Sequence, residues 1–214
     1  MSATLSNNAP RILATPTAGE IAGEKTMLLA FWVTGFLALA VGIAIGVLQS
    51  SNYAGINLYP YLQPFLKSYY QGLTMHGVLN AYVFTFFTIS GWLMYLPARE
   101  LKLKPNMGLA WFTYALMLIG TLMAAYGMFD NSSSVLYTMY APLKGSAWFY
   151  LGITLVVVAS ILPLFVVLEM RARWKRANPG QLTPLVTYMS ATTLLMWLLA
   201  ALGAGTEAVF LLDP

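Results

Sequence analysis

Residues 69–96 read YYQGLTMHGVLNAYVFTFFTISGWLMYL and contain no Asp, Glu, Lys or Arg. At 1.5 Å per residue this run is long enough to cross a hydrocarbon slab about 30 Å thick. It predicts a membrane-spanning helix, and the rest of the fold follows from its repetition along the chain. The run also holds His76, the only histidine of the chain. An ionisable side chain at that depth is costly and marks a candidate functional site.

Composition agrees with the local reading. Hydrophobic residues make up 59% of the chain and charged residues 8%, against about 25% charged in a soluble domain. With a mean hydropathy of +0.69, the class is an integral membrane protein. The net charge of +4 rests on few residues and offers no basic face to a phosphate backbone, so a nucleic-acid partner is excluded. There is no cysteine, which removes disulfides, C-x-x-C-H haem attachment and thiolate metal sites.

Four further apolar runs flank the first: Thr26–Leu48, Met107–Phe129, Ser146–Met170 and Leu185–Leu212. The expected architecture is all-α, with five transmembrane helices in residues 25–214 behind a flexible cytoplasmic tail, residues 1–24, rich in Ala, Ser, Thr, Asn and Pro. Ser51–Leu66, with three tyrosines and two prolines, reads as an ordered interfacial loop. Pro97 is expected to close the second helix, Pro163 to kink the fourth, and Asn178-Pro179-Gly180 to turn into the fifth.

Loop charge orients the bundle. With five spans, the tail and the second and fourth loops share one side. They carry nine of the eleven basic residues, leaving Lys67 and Lys144 opposite. The positive-inside rule places the N-terminus in the cytoplasm and the C-terminus outside. His76 then lies about 10 Å below the outer surface, and a haem held there would be suited to receiving electrons from an external donor.

A lone neutral imidazole has two readings. It can pack between helices through a hydrogen bond, and Asn80, one turn further on the same face, supports a polar helix contact. It can also ligate haem iron, and Gly72 and Gly77 would let a flat macrocycle approach the helix. Met75 cannot be the opposite axial ligand, because adjacent helical positions diverge by about 100°.

The longer pattern bears on that choice. Tyr69-Tyr70-Gln71-Gly72-Leu73-Thr74-Met75-His76-Gly77-Val78-Leu79-Asn80-Ala81, Leu96-Pro97-Ala98-Arg99-Glu100 and Lys104-Pro105-Asn106-Met107-Gly108 resemble subunit I of haem–copper terminal oxidases, most closely the B-family branch. Two later stretches, Val135 to Gly145 and Trp174 to Gly180 with Thr183 to Met189, are similar to the same family. The resemblance covers nearly everything from Glu24 onward and identifies the chain with the first part of that helix bundle.

The resemblance implies that His76 is one axial ligand of low-spin haem b. It places Tyr137 and Tyr140, otherwise aromatic-belt residues, close to the haem propionates and the oxygen-access region. Glu207, in an apolar run near the outer end of the last helix, is a candidate member of a proton or polar network. The family needs six histidines for its two haems and copper, and this sequence has one. The copper and high-spin haem ligands are therefore expected on missing helices or a partner chain, as a fragment, truncation or split gene. No catalytic residue of oxygen chemistry is expected here. Ala141 stands where the family usually has a proline, which touches loop geometry and not the ligand.

Implied partners are the remaining subunit I helices, a copper-containing subunit II, an external donor such as cytochrome c, and lipid of the cell membrane. Two other readings stay open: a nitric-oxide-reductase-like subunit on the same fold, and a haem-free packing or assembly subunit. The cluster Arg171, Arg173, Lys175 and Arg176 reads as a topology and anionic-lipid signal. Glu100 needs no role beyond its place at a helix end.

Overall fold

The computed structural model describes residues 17–134 and 145–212, and every regular element among them is helical. Helix α1 spans Ala18–Tyr53 and a single 3-10 turn follows at Tyr59–Tyr61. Helix α2 spans Tyr69–Gly77 and passes through a π-helical stretch, Val78–Phe84, into α3, Thr85–Leu101. Then come α4, Met107–Phe129; α5, Ala147–Ala159; α6, Leu162–Ala177; and α7, Leu185–Leu212. Five helical stretches, the fourth made of α5 and α6 together, are long and apolar enough to cross a membrane, so the chain is a multi-pass integral membrane protein.

Polar residues set the helix starts. Thr17 caps α1 through a reciprocal box: its hydroxyl accepts from the Glu20 amide (3.3 Å), and its own amide donates to the Glu20 carboxylate (3.0 Å). That box begins helix at Ala18, so residues 18–24, expected in the tail, belong to α1. Ser68, Asn106 and Ser146 cap α2, α4 and α5, each side chain accepting one backbone amide of the first turn.

Pro97 acts otherwise than expected, whereas Pro163 marks an interruption of the fourth span, in line with the expected kink. Pro97 lies inside α3, which continues to Leu101 and stops where Lys102 turns left-handed (φ 53°). Only one helical turn follows Pro97, so its missing N–H costs a single hydrogen bond. Pro163 sits in the first turn of α6, where no N–H is needed. The chain breaks just before it, at Ser160-Ile161. Ser160 bridges that break, donating to the Val157 carbonyl (2.7 Å) and accepting from the Trp197 indole of α7 (2.9 Å).

Close packing comes from small residues. A Cβ on Gly120 of α4 would lie 2.6 Å from the Gly152 carbonyl of α5, so these helices meet backbone to backbone. Phe31, Phe87 and Tyr114 interlock across α1, α3 and α4, with ring centroids 5.2–6.0 Å apart.

Side chains tie both ends of the bundle. At one end the Gln71 amide of α2 donates to the Met128 carbonyl at the end of α4 (2.9 Å). At the other, Arg99 of α3 pairs with the fully buried Glu24 of α1, and Lys104 lies 3.5 Å from Glu20. Arg171 donates to Thr183 (3.1 Å), and Arg173 to the Lys104 carbonyl (2.5 Å). Part of the basic cluster thus clamps the α6–α7 turn and the α3–α4 loop.

Candidate functional site

His76 lies on the last turn of α2, immediately before the π-helical stretch. A π-helical stretch inserts a wider turn and frequently occurs at functional sites. Here Thr85 follows the widened ladder with its side chain, donating to the Asn80 carbonyl at 3.2 Å. The imidazole leans against α1, which offers it glycines. A Cβ on Gly46 would stand 2.7 Å from the ring Cε1 and 2.9 Å from Nδ1, and one on Gly42 would run into the Asn80 amide. Glycine at both positions is what lets the ring and the amide reach the backbone of α1.

The contact is specific. His76 Nδ1 lies 2.7 Å from the Gly42 carbonyl oxygen. A carbonyl only accepts, so Nδ1 carries the proton and Nε2 holds the lone pair. Among the described residues no hydrogen bond engages Nε2. This is the arrangement of a ligating histidine, whose second nitrogen donates to a backbone carbonyl and fixes the tautomer. The residues present fit one axial bond to haem iron. Among the described residues no cluster of three or more His, Cys, Asp or Glu forms a metal site, so the imidazole stands as a single donor.

The other expected residues distribute unevenly. Asn80 is beside the ring, its amide nitrogen 3.1 Å from Nδ1. Gly77 is buried directly after His76. Gly72 serves a different purpose in this structure. The space beside its α-carbon is filled by the Tyr59 hydroxyl and the Gln49 amide, which bond to one another. Gly72 thus lets the Tyr59–Tyr61 turn and α1 close over α2. Tyr137, Tyr140 and the departure at Ala141 lie outside the described residues, as does the side chain of Glu207, whose backbone belongs to α7.

Two groups escaped the sequence. The Gly42 carbonyl is a main-chain atom 34 residues from His76, and only the glycine spacing of α1 hints at it. Glu100 accepts from the Val186 amide (3.0 Å) and from the Thr187 amide and hydroxyl (2.7 Å each). It therefore caps α7 from the end of α3, a tertiary role that its place at a helix end did not suggest.

A membrane helix bundle that presents one oriented imidazole from a glycine-floored groove defines the class of protein. Comparison with known proteins gives the family. The family described as Cytochrome C and Quinol oxidase polypeptide I matches residues 26–213, and the chain belongs to it. It is 50% identical over 194 residues to cytochrome c oxidase subunit 1 of Thermus thermophilus, covering 89% of this chain and 34% of that protein. A heme-copper terminal oxidase dimer solved by cryo-EM superposes with a TM-score of 0.82 at 36% identity, over 89% of this chain and 33% of that one. The chain spans about a third of the length of both relatives.

Proposed function

We propose that this chain is the N-terminal part of the catalytic subunit of a respiratory terminal oxidase, in which His76 supplies one axial nitrogen to low-spin haem b. The observation that carries the reading is the Nδ1 contact with the Gly42 carbonyl, which leaves Nε2 as a free donor. Bound there, the haem supplies one-electron transfer toward a haem–copper centre that reduces oxygen to water. The chain's own part is to hold the imidazole in one tautomer and to exclude water with the packed faces of α1 to α4. The second axial ligand and the copper and high-spin haem ligands would come from the remainder of subunit I or a partner chain. Tyr137 and Tyr140 are proposed near the propionates, and Glu207 in a polar network. A copper-containing subunit II and a donor such as cytochrome c complete the complex.

The experiment is His76→Ala in the assembled, purified oxidase. Loss of the low-spin haem absorbance is expected, and an unchanged spectrum overturns the assignment. About two irons and one copper per assembled subunit are expected from metal analysis, whereas non-haem iron in place of copper would indicate a nitric-oxide-reductase-like centre. The proposed orientation, N-terminus cytoplasmic, has its own check, because the chain lacks cysteine. An impermeant maleimide added to intact cells should label Lys67→Cys and spare Arg176→Cys. The reverse pattern inverts the topology.

A further inference from the structure

Three observations converge on Asn80. Its amide nitrogen is placed 3.1 Å from His76 Nδ1. That nitrogen already carries a proton, because it lies 2.7 Å from the Gly42 carbonyl, so two N–H donors face one another. The amide oxygen, Oδ1, is meanwhile buried without a hydrogen-bond partner. An unpaired buried acceptor beside a donor–donor contact is the signature of an amide whose oxygen and nitrogen are exchanged, since the two are assigned only from the hydrogen-bond network. A half-turn of the amide puts Oδ1 where Nδ2 stands, about 3 Å from the Nδ1 proton's nitrogen. The third observation is Gly42, whose missing side chain is the space the Asn80 amide occupies. One glycine thus provides a carbonyl to the ring and room for a second acceptor.

We propose that Asn80 is a positioning residue that shares the Nδ1 proton of His76 with the Gly42 carbonyl and thereby sets the reduction potential of the haem that His76 ligates. This rests on His76 being the axial ligand. The physical reason is direct. Each acceptor on Nδ1–H draws the proton outward and leaves more electron density on Nε2. A stronger axial donor favours ferric over ferrous iron, so hydrogen bonding behind the ligand lowers the potential. Asn80 acts through the ring and need not touch the macrocycle. Its place in the π-helical stretch, four residues after His76, keeps both on one side of the helix while Thr85 takes up the widened backbone.

The test is a spectroelectrochemical titration of the low-spin haem in the complete purified oxidase, with Asn80→Leu and Asn80→Asp against the parent. Leucine keeps the size and removes the acceptor, so the low-spin spectrum should persist with its potential shifted upward. Aspartate keeps an acceptor at the same reach, so its potential should lie at or below the parent value. A packing role would move haem content without this split in sign. Equal potentials in all three proteins, or an aspartate value above the parent, overturn the proposal. If the leucine variant fails to assemble, Asn80→Ala, which also removes the acceptor, takes its place, and a potential equal to the parent's overturns the proposal. The His76→Ala protein separates the two levels. A lost low-spin spectrum there, with no shift in the Asn80 variants, sinks this proposal only, whereas a retained one removes the ligand assignment beneath it.

Discussion

Glu100 and Thr187 are 87 residues apart in sequence, yet the Glu100 carboxylate accepts both the backbone N–H and the hydroxyl of Thr187 at 2.7 Å. With the Val186 amide bound at 3.0 Å, a carboxylate from α3 fills the capping position of α7. It also sets a negative charge against the positive end of that helix. Glu100→Ala should therefore cost about 1–3 kcal/mol, the worth of charge-assisted hydrogen bonds to groups then left unpaired. The check is the thermal unfolding midpoint followed by circular dichroism in detergent. Glu100→Gln, which keeps an acceptor, should recover part of the loss.

The pair between Glu24 and Arg99 calls for an asymmetric outcome. Glu24 is fully buried, while Arg99 remains 27% exposed. Arg99→Ala strands a carboxylate inside the bundle and should destabilise by about 3 kcal/mol or more. Glu24→Gln leaves the guanidinium partly in water and should cost less. The double variant Glu24→Leu/Arg99→Met should regain most of the stability, because the desolvation of both charges is removed together. A double-mutant cycle of unfolding free energies measures all three.

Two glycines of α1 give a matched experiment on the site. A methyl at Gly46 would stand 2.7 Å from the His76 ring, whereas one at Gly23 meets nothing within 4 Å. Gly46→Ala should displace the imidazole and lower haem content in the assembled oxidase. Gly23→Ala should leave it unchanged and stabilise α1 by about 0.5–1 kcal/mol through helix propensity. Haem per complex, determined from the pyridine haemochrome spectrum, distinguishes them.

Tyr59, in the loop between α1 and α2, predicts an alkaline limit. Burial pushes its phenol above the usual tyrosine value. The neighbouring Tyr69 phenol adds to this, and the Gln49 hydrogen bond opposes it. The folded chain therefore holds this proton more tightly than the unfolded chain, whose tyrosines titrate at about pH 10. The resulting stability is fully present below that pH and is lost as pH rises toward the raised folded value. Tyr59→Phe should flatten the fall in unfolding midpoint between about pH 10 and 12. An unchanged slope would point to other groups.

The spans were legible because hydrocarbon demands long uncharged runs, and Tyr69–Leu96 satisfies that demand without tertiary help. Their ends were less so. Thr17 and Glu20 form a capping box that extends α1 outward, and the Ala- and Pro-rich composition around it suggests a tail instead. Pro97 carries less weight than a helix-breaking residue usually does, since near a C-terminus it removes one bond only. At the site, His76 and Asn80 stand out as polar groups in an apolar run. Their acceptor does not, because the Gly42 carbonyl has no residue type to announce it. Gly72 shows the converse difficulty. A missing side chain marks a close approach, but the identity of the approaching group, here Tyr59 and Gln49, depends on a turn that folds back from outside the helix.

The acceptor behind the imidazole belongs to the peptide chain itself. No side-chain replacement in α1 can delete it, and an alanine scan of that helix would report the glycines that make room for the ring rather than the acceptor itself. The aim of Nε2 depends instead on how far apart two helices stand, a distance kept by the empty sides of Gly42 and Gly46. The direction of Nε2 is therefore governed mechanically. Whatever changes the spacing of this pair of helices acts on the imidazole without touching it.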